Sequence, residues 1–157
     1  MPKNKKMEYE EALKKAAMYA AKREVCIQDV KTKLYNWKVP KEFHDDIIFY
    51  LLQEEFIDEE RYAAAYVREK FRMNKWGKVK IIFQLKSKNI PSHLIEEALK
   101  EIEPEKYYSV LLELLEQKKR SVPGLEGIAL RNKLKAYAAG RGFELDLINK
   151  ALDQLKI

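Results

Sequence analysis

Between Tyr66 and Ile90 eight cations, Arg68, Lys70, Arg72, Lys75, Lys78, Lys80, Lys86 and Lys88, stand against the single acid Glu69, a local charge of +7. The whole 157-residue chain carries +6, so everything outside this stretch is close to neutral. Cations at this density bind phosphates or an acidic partner. Trp76, beside Gly77 in the middle of the run, adds an aromatic surface for a base or a protein side chain. The nine residues together form the candidate contact set.

Bond-making chemistry has much weaker support. Cys26 falls on an apolar helix face and reads as a small core residue, not a nucleophile. His44 and His93 lack cysteine or histidine company at metal-ligand spacing. The acids Asp45-Asp46 and Asp58-Glu59-Glu60 read as helix starts, where the dipole favours negative charge, before they read as a cation site. Gly140 and Gly142 do not make a phosphate loop. The expectation is a non-enzymatic protein without metal or cofactor.

The elements that position the cations are helices. Gly and Pro number five each while Ala, Leu, Lys and Glu abound, which favours an all-α chain. A lone cysteine makes no internal disulfide, and no apolar run reaches the length of a membrane span or signal peptide, so a cytoplasmic location is expected. Lys3, Lys5 and Lys6 read as part of a flexible tail over 1–7.

Helical spacing predicts helices over about 8–24 and 26–37, then a third after Pro40 with Phe43, Ile47, Ile48 and Leu51 as its stripe. The pattern recurs. Counted from Val39, Ile90 and Phe143, the positions at +4, +8, +9 and +12 are all apolar: Phe43, Ile47, Ile48, Leu51; Leu94, Ala98, Leu99, Ile102; Leu147, Ala151, Leu152, Leu155. Three tandem three-helix, helix-turn-helix-like units follow, over 8–55, 56–103 and 104–157, arranged as an elongated array. Val79 to Leu85 alternates like a strand, but an isolated strand has no partner and the repeat assigns it to a helix. Asp58 and Ser92 are the expected caps of the helices that follow them. Tyr62 and Tyr66, four apart among alanines, are expected to pack.

With these residues in view the chain resembles the RecX family of bacterial RecA regulators. The resemblance is carried by Phe56 to Ala63, by Ala65-Tyr66-Val67-Arg68, by Gly77 and Ile81 to Ile90, and by Ala139-Gly140-Arg141-Gly142-Phe143. Asp58, Tyr62, Ala65, Tyr66, Gly77, Gly142 and Phe143 match its structural motif positions. Asn89 stands where the family usually has Gly, and Lys78 follows Gly77 where the family usually has Pro. The resemblance implies a monomeric bacterial protein of DNA repair, recombination and the SOS response. It would lodge in the groove of the RecA–DNA filament and inhibit or tune its ATPase and strand exchange. Single- or double-stranded DNA would be met through its backbone, and no membrane is involved. The alternatives are a non-specific helix-turn-helix DNA-binding module and an adaptor with no nucleic-acid role. Lys78, Val79 and Lys80 at the start of the candidate recognition helix offer charge without the Arg, Asn or Gln of base readout, which favours backbone contact.

Overall fold

A computed structural model describes residues 8–157, so the expected tail lies outside the described residues. The described residues form nine α-helices and no strand: α1 Tyr9–Ala21, α2 Ile27–Asn36, α3 His44–Gln53, α4 Glu59–Arg72, α5 Lys78–Ser87, α6 Ser92–Leu99, α7 Pro104–Ser121, α8 Gly127–Gly140 and α9 Leu145–Gln154. A 3-10 turn, Lys41–Phe43, leads into α3. The helices pack in threes, α1 to α3, α4 to α6 and α7 to α9, and the extensive helix–helix contacts lie within these groups.

One local device sets the repeat. In each unit the second helix ends on a left-handed residue, Lys38 (φ 59°), Asn89 (φ 62°) or Gly142 (φ 98°). The next amide then reaches back five residues: Val39 to the Leu34 carbonyl, Ile90 to Leu85, and Phe143 to Ala138. This is the Schellman ending, in which the residue after the left-handed one is apolar and buried. Val39, Ile90 and Phe143 are all buried. The anchors of the sequence repeat are therefore the points where the chain turns into each third helix.

Cores form beneath these turns. In the first unit Ala12 and Ala16 let α1 approach Val30, Leu34, Ile47 and Leu51 closely, and Ile57 closes the cluster. The second and third units share one continuous core, running from Val67 and Phe71 through Leu85 and Tyr107 to Leu115, Leu134 and Ile148. Each fully buried Leu or Ile contributes roughly 1.5–3 kcal/mol. Among the described residues, hydrogen bonds between units join the first to the second and the second to the third, so the units follow one another in a row.

Two local expectations are corrected and a third is refined. Cys26 is a buried core residue as expected, but it stands at the cap of α2 and not on its face: its Sγ accepts from the Asp29 amide at 3.4 Å while the Cys26 amide donates to the Asp29 carboxylate. Burial pushes its thiol up to about 11, so it stays protonated and unreactive. Ser92 lies inside α6, whose preceding Pro91 gives no side-chain cap. Helix α1 stops at Ala21, earlier than its spacing suggested. Asp58 does cap α4, accepting from the Arg61 amide at 3.0 Å. The alternating stretch is helical because Ile81 and Leu85, four apart, are the buried positions, whereas Val79 and Phe83 face out.

Candidate functional site

The basic stretch is the joint between the second and third units. Helix α4 ends at Arg72, the chain turns through left-handed Lys75, and α5 starts after Gly77. Gly77 donates its amide to the Arg141 carbonyl at 2.7 Å, and Val79 donates to the Gly142 carbonyl at 2.9 Å. A β-carbon on Gly77 would come within 2.2 Å of the Gly142 carbonyl carbon, so only glycine allows the approach. Between them the Lys78 amide donates to Tyr107 Oη at 2.9 Å, and that hydroxyl donates to Glu144. Burial, reinforced by the carboxylate, pushes the Tyr107 hydroxyl up.

On this joint Trp76 is half-buried against the shared core. The Lys70 and Lys80 ammonium groups stand 5.0 and 4.5 Å from its ring. Lys70 also lies 5.5 Å from the Tyr66 ring. Cations held over an aromatic face from two helices make a compact positive surface with a flat apolar centre. It can meet phosphate oxygens and stack a base or an arginine.

Two sets of sequence-selected cations are placed differently. Arg68 pairs with Glu101 at 3.3 Å, and it shares a cleft with Arg72, Glu101, Glu103 and Lys106, where the acids offset the charge. Lys88 pairs with Asp29 of the first unit at 2.6 Å and is thereby a joint residue. Lys78 covers the Tyr107 ring at 4.9 Å, Lys75 is half-buried in the turn, and Lys86 is exposed on α5. Tyr62 is buried and Tyr66 half-buried, with ring centroids 5.9 Å apart, so both pack as expected; Ala65 lines the cleft beside them.

Sequence reading missed the contribution of the third unit. Arg141 donates from Nε to the Lys75 carbonyl at 3.4 Å and from its terminal nitrogen to Asn74, locking the loop that presents Trp76. Its guanidinium also lies 5.9 Å from the Tyr137 ring, which Lys118 covers at 5.0 Å. Positive charge thus continues across the joint. The sequence signal was available in the Arg-Gly-Phe turn, but its contact with residue 74 spans 67 positions.

The first joint is built from side chains. Arg61 makes two 2.8 Å bonds to the Glu24 carboxylate, Asn89 donates to Gln28 at 3.1 Å, and the Ile27 amide donates to Glu59 at 3.1 Å. Desolvation raises the Asp29 carboxyl, but the Lys88 hydrogen bond, the Cys26 amide and the Lys88 charge outweigh it and hold the group below its ordinary value. Among the described residues no cluster of three metal-ligating side chains occurs. Among the described residues, too, no helix is long and apolar enough to cross a membrane.

Comparison with known proteins follows this geometry. The family description of the second three-helix domain of RecX matches residues 58–99, and that of the third matches 105–152. Regulatory protein RecX of Clostridium acetobutylicum is 29% identical over 132 residues, covering 82% of this chain and 61% of its own length. The Bacillus cytotoxicus protein of the same name is 30% identical over 129 residues, again 82% of this chain but 48% of its own. The chain therefore spans only about half to three-fifths of those relatives. The Prosthecochloris aestuarii protein matches almost end to end, 27% identical over 92% of this chain and 93% of its own. The crystal structure of RecX from Lactobacillus salivarius superimposes with a TM-score of 0.82 at 22% identity, covering 94% of this chain and 96% of that one. Matched domains, relatives and fold agree: this chain belongs to the RecX family, whose curated members are named regulatory proteins.

Proposed function

We propose that this protein is a non-enzymatic regulator in the bacterial cytoplasm that binds the RecA–DNA filament and inhibits or tunes its ATPase and strand exchange. The observation that carries the reading is the Lys70–Trp76–Lys80 surface, held across two helices at a joint of an extended array. An elongated body with charge concentrated near its middle suits the groove of a nucleoprotein filament. Filament protein and DNA backbone would be contacted together, with no cofactor taking part.

The simple helix-turn-helix module is disfavoured by one feature. A recognition helix enters the major groove by its N-terminal residues. Here the start of α5 is covered by the third unit, since the Gly77, Lys78 and Val79 amides all bond to it. The test is co-sedimentation with RecA filaments assembled on single-stranded DNA, run beside naked DNA. Retention by the filament well above that by DNA alone supports the reading. Equal retention would reduce the protein to a DNA binder.

A further inference from the structure

Between Asp29 and Glu42 the chain holds Lys31, Lys33, Lys38 and Lys41, with Tyr35 and Trp37 among them and no acid. The fold divides this segment in two. Lys33 and Trp37 turn toward α1: the Lys33 ammonium lies 5.2 Å from the Tyr19 ring, and the Trp37 ring meets Tyr19 edge-on at 6.0 Å with the Lys15 ammonium 4.5 Å from its own centre. Packing accounts for these two. Lys31, Tyr35, Lys38 and Lys41 instead line a cleft of about 900 Å³ beside the turn into α3.

The wall of this cleft is held in place. The Lys38 amide donates to the Tyr35 carbonyl at 3.0 Å. The His44 ring donates from Nε2 to the Val39 carbonyl at 2.9 Å, tying the start of α3 to the end of α2. Lys31 stands one helical turn before Tyr35 on the same face of α2, and Lys38 follows at the left-handed helix end. The three lysines are exposed, and among the described residues none of them is in an ion pair. Two acids are in reach. Asp45 lines the cleft, and Glu59 stands close enough for Lys31 to favour its ionised form, although its carboxylate already accepts from the Ile27 amide. A single exposed aromatic ring is ordinary on a protein surface. Tyr35, 78% exposed among unpaired lysines, joins a flat stacking face to positive charge.

We propose that this cleft takes single-stranded nucleic acid, with the phosphates of the strand on Lys31, Lys38 and Lys41 and a base stacked on Tyr35. A positive groove that tracks the backbone, with an aromatic ring for a base, holds single strands without sequence preference. A duplex keeps its bases stacked inside and would leave Tyr35 unused. The cleft lies in the first unit and shares no residue with the Lys70–Trp76–Lys80 surface, so each contact stands or fails without the other.

Fluorescence anisotropy of a labelled oligothymidylate of about ten nucleotides, titrated with the full chain at several salt concentrations, tests this. Lys31→Glu/Lys38→Glu should weaken binding at least about tenfold and flatten its salt dependence, since two phosphate contacts are lost. Tyr35→Ala should weaken it roughly five- to hundredfold with the salt dependence unchanged, and Tyr35→Phe, which keeps the ring, should bind as the wild type does. Both losses should persist in a chain that also carries Lys70→Glu/Lys80→Glu. Lys14→Glu/Lys22→Glu, the same charge change at exposed positions outside the cleft, should shift affinity by no more than about twofold. Circular dichroism checks that each variant keeps its helices. Wild-type affinity in folded Lys31→Glu/Lys38→Glu or Tyr35→Ala would overturn the inference, as would an equal loss in Lys14→Glu/Lys22→Glu. So would disappearance of both losses in the Lys70→Glu/Lys80→Glu chain, or oligoglutamate of the same charge binding as tightly as the strand, which would make the cleft a site for an acidic protein segment.

Discussion

Gly77 and Gly142 touch backbone to backbone, so that a β-carbon on either would overlap the other's unit: on Gly77 it meets the Gly142 carbonyl carbon at 2.2 Å, and on Gly142 it meets the Lys80 β-carbon at 2.3 Å. Gly142 also has φ 98°, a conformation that side chains resist. The orientation of the second unit on the third depends on this pair.

Gly77→Ala should therefore open the joint and lower stability by at least about 2–3 kcal/mol, since backbone and not a flexible side chain must move. Gly142→Ala adds backbone strain and should cost as much. Tyr107→Phe, which removes the acceptor of the Lys78 amide and the donor to Glu144, should cost about 1–2 kcal/mol. Urea unfolding of the three variants checks the order.

The first joint should respond to acid. Asp29 has a folded pKa lowered from 3.8, so its contribution is complete above that value and is lost as pH falls through the lower folded value. Glu59 runs the other way. Desolvation raises its pKa above 4.5 despite the bond from the Ile27 amide, so its charge costs stability at neutral pH and the cost is relieved on acidification. Asp29→Asn should lose up to about 1 kcal/mol at pH 7, the partly exposed pair with Lys88 being screened. Glu59→Gln, which keeps an acceptor for Ile27, should be neutral or stabilising at pH 7. Thermal melts at pH 7 and pH 3 separate the two signs.

Much of this fold was legible because it is written in local devices. Val39, Ile90 and Phe143 align in sequence since each is the buried residue after a left-handed helix end. Asp58 was readable as a cap for the same reason. The misreadings involve distance. Lys88 and Arg68 counted as free cations because their acids, Asp29 and Glu101, lie 59 and 33 residues away. Gly77 was legible only as a match to a family motif position, and its reason for being glycine is a residue in another unit. The strand-like alternation of Val79 to Leu85, which the repeat rightly overruled in favour of a helix, arises because Val79 and Phe83 are apolar yet exposed.

Shape gives a separate test. A compact 157-residue protein has a radius of gyration of about 15 Å. Small-angle scattering from dilute protein should give a clearly larger value, and a result at about 15 Å would contradict the array.

Trp76 should report on binding. With Trp37→Phe removing the other indole, whose ring packs on Tyr19 and Lys15, emission arises from Trp76 alone. Single-stranded DNA should change that emission, and salt should reverse the change. If about four phosphates are neutralised, log K falls with log salt at a slope of about −3 to −4. An unchanged spectrum at saturation would remove Trp76 from the contact surface.

The DNA-dependent ATPase of RecA, titrated with this protein and with its Lys70→Glu/Lys80→Glu variant, tests the central claim. Both lysines are half-exposed over the Trp76 ring, so the variant should fold with a stability change of about 1–2 kcal/mol. The wild-type chain should alter the ATPase rate, and the variant should need at least about tenfold more protein for the same effect. Arg68→Glu/Arg72→Glu, in the cleft already offset by Glu101 and Glu103, should fall between them. A folded Lys70→Glu/Lys80→Glu protein acting at the wild-type concentration, or a wild-type chain with no effect on the rate, would contradict the account.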